Sequence, residues 1–390
     1  MLSGQQQTNL NYYQLSSLTS RQRAWVEVDL DAIAHNVRTL KAWLNAPTKL
    51  MAVVKADAYG HGAATVARTA LAHGADSLAI ATLAEGVELR RAGITAPILL
   101  LGAINAVEDI QAVAAWELEA TICNLQQAET FARTLLRLGK SAMVHLKIDT
   151  GMSRLGTNWQ DAVEFVARIQ SLPQLKIKSV YSHFATAEDS DRNIMELQQQ
   201  RFETAIDKLK QIGLKPQQIH LANSAATLSN RSSHYDLVRV GLALYGLYPA
   251  SHLSAILDLK PALQVKAKVT QVKIIPQGEG VSYGRKYITE SDIKVAVVGI
   301  GYADGVPRGL SNQMEATIDG QSVPQIGAIT MDQLMLRIDG LDSVQPGDIV
   351  TLIGQQNGRQ ISADDWADKL GTISWEILCG FKHRLPRVFI

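Results

Sequence analysis

The chain has 390 residues, 46% of them hydrophobic and 19% charged, enough to bury a large core and divide into two domains. Lys and Arg total 38 against 37 Asp and Glu, a formal charge of +1 with no long basic run, which excludes a nucleic-acid surface and favours a small-molecule ligand. No uncharged apolar stretch reaches the roughly 18 residues of a membrane span.

Residues 1–22 are polar, rich in Gln and Ser, and lack the apolar core of a signal peptide, so they read as a flexible extension of a cytoplasmic protein. Residues 23–260 follow as a first domain, in which short apolar runs alternate with amphipathic segments, the pattern of parallel strands joined by helices. Eight strands are expected: LMAVV (50–54), SLAIA (77–81), PILLL (97–101), EATI (119–122), MVHLKI (143–148), IKSVYS (177–182), QIHLA (218–222) and DLVR (236–239). Between them, AATVARTALAHG, LAEGVELRRAG, LQQAETFARTLLRLGK and IMELQQQRFETAIDKLKQIG carry apolar residues at helical spacing and end at or beside Gly. The pattern predicts an α/β fold, a TIM-like (β/α)8 barrel with its active site at the carboxyl ends of the strands.

Those ends are chemically rich. The first runs into Lys55, the fifth into DTGMSRLG, the sixth into SHFAT, the seventh into ANSAAT and the eighth into VRVG. A doubly wound sheet accounts for the alternation equally well but not for polar groups at five strand ends. From residue 261 to 390 the pattern changes to LQVKAKVTQVKII, KVAVVGIGYA, EATIDG, QLMLRIDG and DIVTLIG, which predicts a second, mostly β domain. The two cysteines, Cys123 and Cys379, stand far apart without metal-ligand spacing and fit a reducing compartment; no metal site is expected.

Lys55 closes an apolar strand and is followed by small residues, Tyr59, Gly60 and Gly62. A lone lysine there is most simply a solvated cation. A partly desolvated one loses its proton more readily and reacts with carbonyls, the amine that pyridoxal phosphate requires. Tyr59 offers a hydroxyl, and the glycines permit close backbone approach at a helix start.

Taken together, VVKADAYGHG, KIDTGMSRLG, YSHFATAE, HLANSAAT, DLVRVGLALYG, GVSYGRKY, GYADGVPRG, ITMDQ and RLPR occur in one order, and this set resembles alanine racemase from residue 24 to the end. The resemblance implies a pyridoxal 5'-phosphate isomerase that interconverts L- and D-alanine through a cofactor aldimine by a two-base mechanism, supplying D-alanine for peptidoglycan. It implies Lys55 as Schiff-base lysine and base on one face, with Tyr283 as base on the other. Racemisation needs two bases because a planar carbanion loses its proton on one side and regains it on the other.

The same resemblance places His183 between Tyr283 and Arg239, with Arg239 at the cofactor's ring nitrogen. A tyrosine, with an ordinary pKa of about 10, needs such a cationic or hydrogen-bonding neighbour to act as a base near neutrality. A guanidinium gives up no proton readily, so the cofactor is a weaker electron sink and transamination is suppressed. Tyr59, Asn223, Ser224 and the backbone of Gly241 and Leu242 are implied around the cofactor and its phosphate. Arg154 is implied at the phenolic oxygen and substrate carboxylate, and Tyr302 and Met331 in the substrate pocket. Lys147 matches a position carbamylated in many relatives; a lysine paired with Asp149 or facing solvent is the alternative. A homodimer with shared active sites is implied as well.

The chain departs from the family pattern at His383, where many relatives have a phosphate-touching tyrosine, at Ser153, usually glycine, and at Thr330, where some have cysteine. Rival readings stay open: a non-catalytic pyridoxal-phosphate carrier, a decarboxylase of the same architecture, and a phosphate-binding barrel that uses Lys55 in aldol chemistry.

Overall fold

The computed structural model describes residues 23–390, so the expected N-terminal extension lies outside the described residues. Two compact units are present: Asp31–Pro261, and Ala262–Ile390 together with the chain up to Leu30. The sequence placed residues 23–260 in one domain, but β1 (Ala24–Val28) belongs to the second unit. All five of its residues are buried, and it pairs antiparallel with one distant strand (Ala24↔Ala267) and parallel with another (Val26↔Arg387). Its partners lie too far along the chain for a local pattern to show them.

The first unit is built on eight parallel strands: β2 (Lys49–Val53), β3 (Ser77–Ile80), β4 (Ile98–Leu100), β5 (Glu119–Ile122), β6 (Ala142–Asp149), β8 (Leu175–Tyr181), β9 (Gln218–His220) and β10 (Leu237–Val240); a two-residue β7 (Thr157–Asn158) pairs beside β6. Every predicted strand is present within two residues of its expected ends. The order is β10-β2-β3-β4-β5-β6-β8-β9. Around the last pair, Asp236 N–H donates to the Ile219 carbonyl at 3.2 Å and Arg239 N–H to that of Ala222 at 3.0 Å, which brings the ring close to closure.

Helices cover the outside because their sequences carry one apolar stripe. In Leu125–Arg137, Ala128, Phe131, Ala132 and Leu135 are buried at helical spacing, and Asn124 caps the helix by accepting from Gln127 N–H at 2.8 Å. Each fully buried Phe or Leu side chain contributes about 1.5–3 kcal/mol. Leu83–Arg91 starts at a reciprocal capping box between Thr82 and Glu85.

The second unit continues with β11 (Leu263–Ile275), β12 (Ile293–Val298), β13 (Glu315–Ile318), β14 (Gln321–Ile326), β15 (Leu334–Arg337), β16 (Ile349–Gln356), β17 (Arg359–Ile361) and β18 (Arg387–Phe389). Strands β16-β13-β14-β15-β12-β11 form a continuous path, and β11 also pairs with β16, so six strands close on themselves. Asp319–Gly320 takes positive φ at both residues (47° and 77°) and forms the two-residue hairpin that a DG pair favours. A second DG from a predicted strand end, Asp339–Gly340, has positive φ only at Gly340 and leads into a loop instead.

Candidate active site

Lys55 follows β2 and opens a segment in which Ala56, Asp57, Ala58 and Tyr59 all lie in left-handed conformation, with φ between 52° and 54°. Such geometry costs an L-residue about 1–2 kcal/mol each, so four in succession require support. Glu85 supplies some by accepting from Ala56 N–H at 2.7 Å, and Asp57 Oδ1 accepts from Ala63 N–H at 2.8 Å, at the start of the next helix. The turn brings the buried Tyr59 ring to 4.9 Å from that of Tyr245, whose hydroxyl donates to the Val53 carbonyl at 2.8 Å. Strain of this kind is retained where a side chain must be aimed.

Arg239, on β10 and only 3% exposed, is the hub of the barrel interior. Its Nη2 donates to His183 Nδ1 at 2.9 Å and to the carbonyls of Ser182 and Leu221 at 2.8 and 3.0 Å; its Nη1 donates to His220 Nδ1 at 2.7 Å. Burial pushes its pKa down to about 10, still cationic at neutral pH. Burial, then the positive charge of Arg239, holds His183 well below the usual histidine range. His183 is therefore neutral. Because Arg239 only donates, Nδ1 is the acceptor and the proton sits on Nε2.

Among the candidate phosphate residues, Ser224 Oγ accepts from Gly241 N–H at 3.0 Å and Ala243 N–H at 3.4 Å. A side chain at Gly241 would meet Tyr59 Oη at 2.5 Å, so only glycine allows this approach. Leu242 opens a short 3-10 turn and its amide has no partner within that turn. Asn223 Oδ1 caps the helix Ser224–Ser229 by accepting from Ala226 N–H at 3.0 Å.

Lys147, on β6, is 5% exposed and forms no ion pair among the described residues. No ion pair joins it to Asp149, whose Oδ1 accepts the amides of Gly151, Met152 and Ser153. Desolvation, then the charges of Arg239 and Arg154, lowers the Lys147 pKa to about 8. Arg154 is exposed in the same loop, next to Ser153, which holds φ 53° where a glycine would be unstrained.

The remaining candidates lie in the second unit. Tyr283 is 71% exposed in the turn Tyr283–Arg285, and Tyr302 and Met331 are 42% and 52% exposed. Tyr302 N–H donates to the Thr330 carbonyl and Ala303 N–H to that of Met331, which joins these two segments, and Asp332 pairs with Arg384 at 2.7 Å. His383 is exposed in the same unit. Among the described residues, no helix is long and apolar enough to cross a membrane, and no cluster of His, Cys, Asp or Glu is placed to hold a metal.

Two family models match: the alanine racemase N-terminal domain over residues 28–249 and its C-terminal domain over 262–389. The chain belongs to the alanine racemase family. An alanine racemase from Synechocystis is 62% identical over 95% of this chain and 100% of its own length, and one from Nostoc is 60% identical over 94% and 96%. Among solved structures, alanine racemase of Clostridium difficile superposes with a TM-score of 0.91 at 35% identity over 95% of this chain and 96% of its own. That of Bacillus anthracis, solved with bound L-Ala-P, reaches 0.89 at 39% over 95% of each.

Alanine racemases depend on pyridoxal 5'-phosphate, and this barrel fits that cofactor. Ser224 Oγ accepts two amides and so keeps its own hydrogen to donate. The side-chain-free face of Gly241 leaves Tyr59 beside it, and Arg239 Nε makes no hydrogen bond among the described residues, a guanidinium donor left for a ring nitrogen. His220 opens the HLANSAAT motif but was given no role from the sequence, and its neighbours Ser179 and His145 entered none of the motifs. The one signal in the sequence that could have found them is a histidine inside each of the apolar strands QIHLA and MVHLKI.

Proposed function

We propose that this protein racemises alanine at a site shared between two protomers, with Lys55 and Tyr283 as the two bases. The observation that carries this reading is the convergence of Lys55, Lys147, His183, Ser224 and Arg239 at the carboxyl ends of the strands of one barrel. Bound pyridoxal phosphate withdraws electrons from the substrate and makes its α-proton acidic. Lys55 holds the cofactor through its amine, and the same Nζ moves a proton on one face of the α-carbon. Tyr283 serves the opposite face from a second protomer in a head-to-tail homodimer, a role that suits a tyrosine so exposed in its own chain.

Ser224, Tyr59 and the amides of Gly241 and Leu242 bind the phosphate, with Asn223 shaping that loop. Arg239 orients the ring through a donor that stays charged. His183, its Nδ1 turned to Arg239, keeps an Nε2–H to donate to the oxygen of Tyr283 and so stabilises the phenolate. Arg154 takes the substrate carboxylate, while Tyr302 and Met331 bound a pocket sized for alanine. The reaction belongs in the cytoplasm, where D-alanine supplies peptidoglycan. Incubation of the full chain with pyridoxal phosphate and L-alanine is expected to yield an equal mixture of enantiomers by chiral chromatography; L-alanine left unchanged overturns the reading.

Lys147 is proposed to be carbamylated and to orient Arg154. Carbon dioxide adds to a neutral amine with release of a proton, and a lysine with a pKa near 8 is neutral far more often at pH 7.5 than one at 10.5. The sign follows: the ammonium, dominant below that value, does not react, so carbamate increases as pH rises through 8. With 13C-bicarbonate, an NMR carbamate signal should grow between pH 7 and 9 and vanish in Lys147→Ala. Its absence in the wild type at every pH counts against the modification.

A further inference from the structure

A chain of hydrogen bonds crosses the barrel interior from the amino end of β5 to Arg239. Glu119 Oε1 pairs with Lys178, and its Oε2 lies 2.8 Å from His145 Nε2. His145 Nδ1 lies 2.6 Å from Ser179 Oγ, Ser179 Oγ 2.8 Å from His220 Nε2, and His220 Nδ1 2.7 Å from Arg239 Nη1. Every side chain from Glu119 to Arg239 is buried, with Ser179 and His220 at 0% exposure.

Two imidazoles and one hydroxyl can each donate or accept, so such a chain has two possible directions. Its ends permit one. A guanidinium only donates, so His220 Nδ1 accepts, Nε2–H donates to Ser179, the Ser179 hydroxyl donates to His145 Nδ1, and His145 Nε2–H donates to Glu119. A carboxylate only accepts, which demands the same direction from the other end. Burial lowers the pKa of both histidines; contact with Glu119 raises that of His145 without outweighing burial, and for His220 the charge of Arg239 adds to the lowering, so both rings are neutral near pH 7 as this order requires. Burial alone would raise the Glu119 pKa, but hydrogen bonds from His145 and Lys178 outweigh it and keep the carboxyl ionised. Tyr181 stacks on His220 at 4.7 Å and 8°, which fixes the plane of the ring but not its tautomer.

We propose that Glu119, His145 and Ser179 are positioning residues for racemisation, which hold His220 as the Nε2–H tautomer and through it fix the hydrogen-bond arrangement of Arg239 and His183. No proton travels along the relay, since a guanidinium has no lone pair to receive one. With the relay cut, Arg239 alone still favours an accepting Nδ1, but the buried Nε2–H of His220 has lost its acceptor; a proton shifted to Nδ1 relieves that orphaned donor and then faces a donor of Arg239, which displaces the guanidinium that also sets the His183 tautomer. The consequence for turnover rests on the proposed role of Arg239, whereas the tautomer itself does not.

The test uses full-length holoenzyme with 15N-labelled histidine, in which long-range proton–nitrogen NMR separates protonated from unprotonated ring nitrogens. Wild type should show His145 and His220 protonated at Nε2 only. Ser179→Ala, which removes a single oxygen, should give His220 signal from both tautomers and lower kcat about 10–100-fold with KM nearly unchanged. Ser179→Thr, which restores the hydroxyl, should recover both readouts, and Glu119→Gln, which keeps shape and loses charge, should relax His145 and lower kcat in the same direction. The proposal fails if His220 remains a single Nε2–H tautomer in both Ser179→Ala and Glu119→Gln, or if the tautomer changes while kcat does not. A wild type with the predicted tautomers but no racemisation would instead overturn the functional reading while leaving the relay intact.

Discussion

Lys55→Ala should abolish racemisation, with a loss beyond about 10³-fold, because it removes both the attachment of the cofactor and the base on one face. The two losses are separable. In the wild type, borohydride should fix the cofactor to the peptide that contains Lys55, and mass spectrometry should find the added mass there; in the variant no lysine should carry it. The left-handed turn Ala56–Tyr59 should survive, because Glu85 still accepts from Ala56 N–H and Asp57 from Ala63 N–H when the lysine side chain is removed. A variant that still retains cofactor covalently, or still converts L-alanine at a comparable rate, would remove Lys55 from the centre of the account.

Tyr283→Phe should lower racemisation by about 10²–10⁴-fold, the range for a lost general acid or base, while the cofactor stays attached through Lys55. The distinctive result lies in isotope exchange. In heavy water one enantiomer of alanine should still exchange its α-proton through the surviving base and return with its configuration retained, while the other exchanges far more slowly. Equal exchange from both enantiomers would contradict a two-base scheme. Tyr283 is exposed in its own chain, so the change should scarcely affect folding, and a matched melting temperature would assign the loss to chemistry.

Much of this architecture was legible because the barrel strands are short apolar runs between amphipathic helices, and all eight fell where their sequences placed them. The hairpin at Asp319–Gly320 was legible for the same local reason. β1 was not, since its pairing with Leu263–Ile275 and with Arg387–Phe389 spans most of the chain. The left-handed run after Lys55 was equally hidden: Ala-Asp-Ala-Tyr has no residue that favours positive φ four times over, and contacts made across the fold override the local preference.

At the site, Lys55, Tyr59, His183 and Arg239 stood out through motifs, and the structure brings His183 and Arg239 into direct hydrogen bonding. How their supporting residues connect was not legible in the sequence. Glu119, His145, Ser179 and His220 come from four strands separated along the chain, and only closure of the ring places them end to end. The alternatives weighed for Lys147 were a pair with Asp149 or a solvent-facing side chain. Burial rules out the second, and no ion pair joins Lys147 to Asp149 among the described residues.

The two variants together test the shared site most directly. Co-expressed with different tags and purified on both in turn, Lys55→Ala and Tyr283→Phe chains form a heterodimer in which one site lacks both bases and the other retains Lys55 from one protomer and Tyr283 from its partner. The account predicts that this heterodimer, assembled from two inactive parents, racemises alanine at about half the wild-type rate per dimer. Activity no higher than that of the parents would contradict it.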